Sequence, residues 1–229
     1  MNIKDYLEKV KSREVSVVKT IEKILQEAKI SPNYFTVISK SYALDQAERI
    51  EKEPQGRLAG LPISVKDCIC VKDIESSAGS EILKEYRPPF SATVINKLEK
   101  EGAIIIGKTS QDEFGFGGFS VNTKKIPKNP YDLTRSCGGS SGGAAGFTAF
   151  TTQPHIALGE STGGSIANPA SFCGVVGLTP TYGLVSRYGL IDYANSLDKI
   201  GAIAKTVSDS FLGLYHISGY DEKDSTSLT

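Results

Sequence analysis

The sequence has 229 residues, 39% hydrophobic and 23% charged, and its 26 Lys and Arg cancel its 26 Asp and Glu to a formal net charge of zero. That balance leaves no electrostatic footprint for nucleic acid or an anionic membrane surface, and the proportions suit a globular chain able to bury about 70% of its unfolded surface. The charged opening Met1-Asn2-Ile3-Lys4-Asp5 begins no apolar signal core, and no apolar run approaches the ~20 residues of a membrane span, so a cytoplasmic protein is expected.

Along the chain, residues 16–28 place Val17, Val18, Ile21, Ile24, Leu25 and Ala28 on one stripe, which predicts an amphipathic surface helix. A second helix is expected from Ala43 to Glu53, because Pro54 disfavours helical geometry in the residue before it. Leu61–Val65 predicts a short buried strand, with Lys66 and Asp67 just past its end. Ser91 is placed to cap a helix running through Glu101, which Gly102 stops, and Ala103–Ile106 reads as the next strand. Further strands are expected at His155–Leu158 and Val175–Leu178. Helices alternating with short, fully apolar strands predict an α/β fold whose sheet is covered on both faces. The glycines cluster instead in loops, where chemistry usually sits. Of the four cysteines, Cys68 and Cys70 are one residue apart, and neither Cys137 nor Cys173 completes a zinc-like spacing. They read as reduced packing thiols, with no metal site.

Two short motifs fail on physical grounds. Gly102-Ala103-Ile104-Ile105-Ile106-Gly107-Lys108-Thr109 satisfies the Walker A pattern, but a phosphate cradle needs a strand before its first glycine and a pliable loop after it. Here a helix comes first and three stiff β-branched isoleucines fill the loop. No nucleotide site is expected, and Lys108 is left to structure or solvent. Gly138-Gly139-Ser140-Ser141-Gly142 fits the G-x-S-x-G elbow, which needs a histidine base. Only His155 and His216 are present, the first at the mouth of a strand and the second among Phe211, Leu212 and Leu214, and both read as packing or surface residues. A Ser-His-Asp site stays open with little to carry it.

A longer pattern has more content. Ala59–Asp67 (AGLPISVKD) is followed by Gly138–Ala145 (GGSSGGAA), Leu158–Ile166 (LGESTGGSI) and Pro169–Leu178 (PASFCGVVGL). In order and content this resembles the amidase signature family over nearly the whole chain. Asp112-Glu113-Phe114, Pro180–Leu190, Ser196-Leu197-Asp198 and Asp224–Ser227 are similar to one branch of it, the glutaminase subunits of tRNA-dependent amidotransferases. The resemblance implies an amidase-signature fold, a mixed central sheet covered by helices on both faces. Residues 1–229 would be the N-terminal half of a single such domain, incomplete in this chain. It implies catalysis by Lys66, Ser140 and Ser165, with Ser140 bridging the other two. It also implies hydrolysis of glutamine and supply of ammonia for converting Glu-tRNA(Gln) to Gln-tRNA(Gln). The partners would be a B subunit, which holds the tRNA and uses ATP and Mg²⁺, and a bracing C subunit. No cofactor would be bound by this chain itself.

The chemistry suits those residue types. An amide is a poor electrophile with a bad leaving group, so its cleavage needs a nucleophile, a proton relay and donors for the developing oxyanion. Ser165 ends a glycine turn at a helix start, where the backbone N–H groups of Thr162, Gly163, Gly164 and Ser165 can converge, one such donor contributing roughly 3 kcal/mol to the transition state. Two adjacent glycines leave the backbone open to a substrate carbonyl. Lys66 can act as base only when neutral, and lowering it from a free pKa near 10.4 to about 7–8 costs roughly 4 kcal/mol. Burial beside Ile63-Ser64-Val65, with hydroxyls and no carboxylate touching the amine, would supply this. Asp67 is expected to point away, Ser141 to hold the turn, and Asn129, Pro130 and Tyr131 to be structural. Ala167 stands where the family usually has arginine, which removes a bidentate donor, and Ser140 to Ser165 is one residue longer than usual. Because the family's second half closes the sheet and most of the substrate pocket, an unpaired edge and an exposed apolar patch are expected. The alternatives are a stand-alone amidase for another small amide, or an inactive assembly module.

Overall fold

The computed structural model describes residues 1–229. Helix α1 (Ile3–Lys11) starts at Asn2, whose side chain accepts the Asp5 N–H, and α2 (Val17–Ile30) starts at Ser16, whose hydroxyl accepts the Lys19 N–H. Each cap satisfies an otherwise orphaned first-turn amide. The apolar stripe of α2 is buried through Val17, Ile21, Ile24, Leu25 and Ala28. Strand β1 (Phe35–Ile38) leads to α3 (Lys40–Lys52), which begins ahead of the expected Ala43 because its polar first turn carries no apolar period. Strand β2 (Pro62–Lys66) is buried throughout and includes Lys66 as its last residue. Helix α4 (Thr93–Lys100) is not capped by Ser91: Ala92 occupies the cap position, and the Ser91 hydroxyl accepts the Lys72 N–H instead. Gly102, at φ +80°, ends that helix in the left-handed region that glycine tolerates.

Strand β3 (Ile104–Thr109) runs three residues past the apolar run that signals it. A single-turn 3₁₀ segment (Glu113–Gly115), a hairpin of β4 (Lys128–Asn129) with β5 (Asp132–Ser136), and α5 (Gly142–Phe150) follow. The remaining elements are β6 (Ile156–Ser161), α6 (Ala167–Phe172), β7 (Val176–Leu178), β8 (Lys199–Ala204) and α7 (Val207–Ile217).

Six strands form one mixed sheet in the order β1-β3-β2-β6-β8-β7. The pairs β3–β2 and β2–β6 are parallel, and the other neighbours are antiparallel. Helices cover both faces. On β6, Ile156 packs against Gly213 of α7, whereas Gly159, an odd number of residues along, faces Ile166 and the Ser141 loop. Helix α5 accordingly packs on β2, β3, β6 and β8 from one side, and α7 on β6, β7 and β8 from the other. One cluster of 47 buried apolar residues runs through both layers, so the chain has a single core. The outer edge of β7 is unpaired, and Val207, Phe211 and Tyr215 of α7 are exposed. No helix is long and apolar enough to cross a membrane.

The segment that imitates a phosphate loop is core. Lys108 is completely buried on β3, and its Nζ donates to the Asp67 main-chain oxygen (3.1 Å) and to Ser76 Oγ (2.7 Å). It lies 3.8 Å from the Asp67 carboxylate, whose other oxygen accepts Ser77 Oγ (2.6 Å) and the Gly79 N–H (2.9 Å). Burial pushes the Lys108 amine below its ordinary range, and Asp67 opposes the shift. Its role is structural rather than solvent-facing. Lys108→Met removes the only cation beside a buried carboxylate and is expected to destabilise the fold by about 3–5 kcal/mol in urea titrations. Calorimetric titration with ATP should give no binding heat in either protein.

Candidate functional site

The parallel register of β2 on β6 pairs Ile63 with Ile156, Ser64 with Ala157 and Val65 with Leu158. Both strands therefore finish at the same end of the sheet, and β6 runs three residues beyond the expected Leu158. This sets Glu160 beside Lys66 across 94 residues of sequence. Lys66 is completely buried, and its Nζ contacts Ser140 Oγ at 2.7 Å, the Glu160 main-chain oxygen at 3.0 Å and Glu160 Oε2 at 2.8 Å. Asp67, the next residue, turns to Lys108, as strand alternation requires. The expectation of an amine touched only by hydroxyls is thus corrected: a carboxylate is in direct contact, brought there by the longer strand.

Ser140 follows a cis Gly139–Ser140 peptide and is fully buried. A side chain at Gly139 would collide with the Asp112 carboxylate and the Ser120 backbone, so the loop can lie this close only because the residue is glycine. Asp112 ties the neighbouring loop down by accepting the N–H groups of Ser120 (2.9 Å) and Asn122 (3.1 Å). Asn168 of α6 clamps the two loops together, donating to Gly118 O (2.7 Å) and Gly139 O (3.1 Å). Ser141 donates its hydroxyl to Glu160 O (3.0 Å) and its N–H to Ser165 O (3.1 Å).

Ser165 is half-buried, two residues before α6, and its hydroxyl makes no hydrogen bond. It lines a cleft of about 260 Å³ with Gly117, Gly163, Asn168 and Tyr193. Gly163 and Gly164 are open to that cleft, since a Cβ at either would meet nothing within 4 Å. The Gly164 N–H is already taken by Ser161 Oγ at 3.1 Å, whereas those of Thr162, Gly163 and Ser165 have no intramolecular partner. The structure thus joins Lys66 to Ser140 directly and sets Ser165 over them through the Ser141 amide. Glu160, Asp198 and Asn168 are the neighbours that sequence reasoning passed over. Glu160 and Asp198 stand inside the sequence motifs, and only strand register shows what they touch.

Residues 17–229 match the amidase family. The chain belongs to that family. It is 45% identical to the A subunit of glutamyl-tRNA(Gln) amidotransferase from Natranaerobius thermophilus, across 100% of this chain and 48% of that relative. It is 48% identical to the protein of the same name from Methanosarcina mazei, with the same shares covered. Among solved structures, the corresponding A subunit from Thermotoga maritima is 37% identical with a TM-score of 0.78, across 100% of this chain and 49% of that one. The peptide amidase of Stenotrophomonas maltophilia is 31% identical with a TM-score of 0.92, across 99% and 50%. The chain spans about half the length of these relatives.

In this amidase-family chain neither histidine approaches Ser140. His155 is buried in the core, where Nε2 lies 2.9 Å from Ser64 Oγ and Nδ1 lies 3.4 Å from Thr148 Oγ1. Burial first, and the Lys205 charge second, push its pKa down to about 3. The imidazolium is therefore excluded from the fold but not from the unfolded chain. Stability has no such penalty above the free value near 6.5 and falls progressively as pH drops from there toward 3. Between pH 7 and pH 5 this one residue is expected to remove about 2 kcal/mol. Urea unfolding of His155→Gln should show a correspondingly flatter loss over the same interval.

Proposed function

We propose that this chain is the glutamine-hydrolysing subunit of a tRNA-dependent amidotransferase, cleaving the side-chain amide through Ser165, Ser140 and Lys66. The observation that carries the reading is the 2.7 Å contact of a buried lysine with a buried serine beneath a cleft floored by Ser165 and unpaired amides. The match to the family and the identity to relatives of that name support it.

In this mechanism Ser165 Oγ bonds to the amide carbon while its proton moves to Ser140 and the Ser140 proton moves to Lys66 Nζ. The carbonyl electron pair is left on oxygen and is met by the N–H groups of Thr162, Gly163 and Ser165, Gly164's being held by Ser161. Lys66 then returns the proton through Ser140 to the leaving nitrogen, the C–N bond breaks and ammonia departs. Water resolves the acyl-enzyme by the same relay. The hydrogen bond between Ser140 and Ser165 is one that forms with substrate, as catalytic hydrogen bonds commonly do. This chain would hold no cofactor. Activation of Glu-tRNA(Gln) with ATP and Mg²⁺ would fall to a B subunit steadied by a C subunit, in keeping with the zero net charge here. A second reading, hydrolysis of another small amide, is favoured by the likeness to the peptide amidase.

A fluorophosphonate probe should label the wild type at Ser165 and leave Ser165→Ala unlabelled. Lys66→Ala and Ser140→Ala should each slow labelling by about 10²–10⁴-fold. The double variant should lose little more than either single one, because the two residues act as one relay. Turnover of glutamine against a panel of other primary amides separates the two readings.

A further inference from the structure

Lys66 Nζ has three oxygen neighbours, and their proton inventory is restrictive. An ammonium has three N–H donors, while a neutral amine has two donors and one lone pair. The Glu160 main-chain oxygen, at 3.0 Å, can only accept. If Glu160 Oε2 takes the second N–H of a neutral Lys66 at 2.8 Å, the lone pair is left facing Ser140 Oγ at 2.7 Å. That is the arrangement a base for Ser140 needs.

The far side of Glu160 says where the missing proton goes. Thr162 Oγ1, with one hydrogen to give, lies between Glu160 Oε1 at 3.1 Å and the buried carboxylate of Asp198. The other oxygen of Asp198 accepts the N–H groups of Tyr193 (2.7 Å) and Ala194 (2.8 Å). When Thr162 donates its one hydrogen to Asp198, its contact with Glu160 is a hydrogen bond only if Oε1 carries a proton. With Glu160 protonated on Oε1, every contact is satisfied either by a charged Lys66 that donates to Ser140 or by a neutral Lys66 that takes the hydrogen of the Ser140 hydroxyl on Nζ, and only the neutral form presents Ser140 with a base. With Lys66 charged and Glu160 ionised, the Glu160–Thr162 contact has no hydrogen in it.

We propose that Glu160 is a positioning residue of the relay, aiming the Lys66 lone pair at Ser140 and storing the proton that Lys66 gives up. The proposal rests on the amidase reading above. In it the pair holds one proton between two sites, so the base-competent form arises by transfer within the site, with no proton lost to solvent. Glu160 keeps that proton while the Ser165 proton passes through Ser140 to Lys66 and on to the leaving nitrogen. The other groups facing Glu160 do not compete for this role. Lys199 of β8 is turned to the Thr162 main-chain oxygen (3.2 Å), and burial pushes the Cys68 thiol up, so it stays protonated. Glu113, on the turn that covers the cluster, is bonded away to Ser80 (2.7 Å). Gly115 of the same turn lies over Glu160, Ser140 and the Tyr193 ring.

The test follows the rate of fluorophosphonate labelling of Ser165 in the full chain between about pH 6 and 9.5, read by intact-mass spectrometry. Wild type is expected to change by less than about threefold over that interval, since the proton stays within the pair. Glu160→Gln keeps an acceptor and a donor in place but cannot take a proton. It is expected to be about 10- to 100-fold slower at neutral pH and to climb by about tenfold per pH unit, as Lys66 must now deprotonate to solvent. Glu160→Asp should be slower yet keep the flat profile. A Glu160→Gln protein that labels as fast as wild type, or more slowly with the wild-type profile, would overturn the proposal, the second outcome meaning a structural role alone. Labelling that survives Ser165→Ala would overturn the amidase reading itself, and this inference with it.

Discussion

The parallel pairing of β2 with β6 is the constraint on which the site depends. It carries two ionisable side chains, Lys66 and Glu160, to one end of the sheet and into an interior where neither has water. A charge placed there costs several kcal/mol unless its donors and acceptors are matched, so the surroundings are forced to supply oxygens. Few groups are needed. Ser140, the Glu160 main chain and the Glu160 carboxylate serve Lys66, and Thr162, itself bonded to Asp198, serves Glu160. The serine loop is bound into the same set through Ser141, which links the Glu160 carbonyl to the Ser165 carbonyl. Displacing one strand by a residue would turn Lys66 or Glu160 to the opposite face and dissolve the arrangement.

The chain holds a second buried lysine, and the contrast is instructive. Lys108, on the strand next to β2, is paired opposite Val65 and meets Asp67, Ser76 and a main-chain oxygen. By residue type its surroundings resemble those of Lys66, with one carboxylate, one serine and one carbonyl. The difference is position. Lys108 is sealed beneath the Ser76–Gly79 loop, whereas Lys66 sits behind Ser140, directly under the glycine-lined cleft. The two lysines are thus told apart by access rather than by the ligands of the amine.

Two kinds of glycine build the cleft. Gly139 is packed so closely against Asp112 and Ser120 that any side chain would push the serine loop out of place, whereas Gly163 and Gly164 face open space. The first kind sets the position of Ser140, and the second leaves room for a substrate carbonyl over the free amides. Asn168 joins the two regions by holding Gly118 and Gly139 from α6, so loops far apart in the chain move as one piece.

Sequence alone determined the local features whose cause is local. The stripe of α2, the stop at Gly102, the apolar strands around Ile63, Ile105 and Ala157, and the rejection of the phosphate-loop imitation all follow from side-chain period and backbone stiffness. The glycine and serine motifs also placed Ser140 and Ser165 in loops beside strands, because only glycine permits such close turns. Two strands of the main sheet escaped this reading, β1 because it is only four residues long and β8 because it interleaves Gly201 with apolar residues, and so did the short, polar β4–β5 hairpin. The cap at Ala92 was missed because Ser91 is drawn into a tertiary bond with Lys72. What only the tertiary structure decided is which groups touch. Glu160 reaches Lys66 across 94 residues and Thr162 reaches Asp198 across 36. Register sets those contacts, and register is a property of two strands rather than of either one.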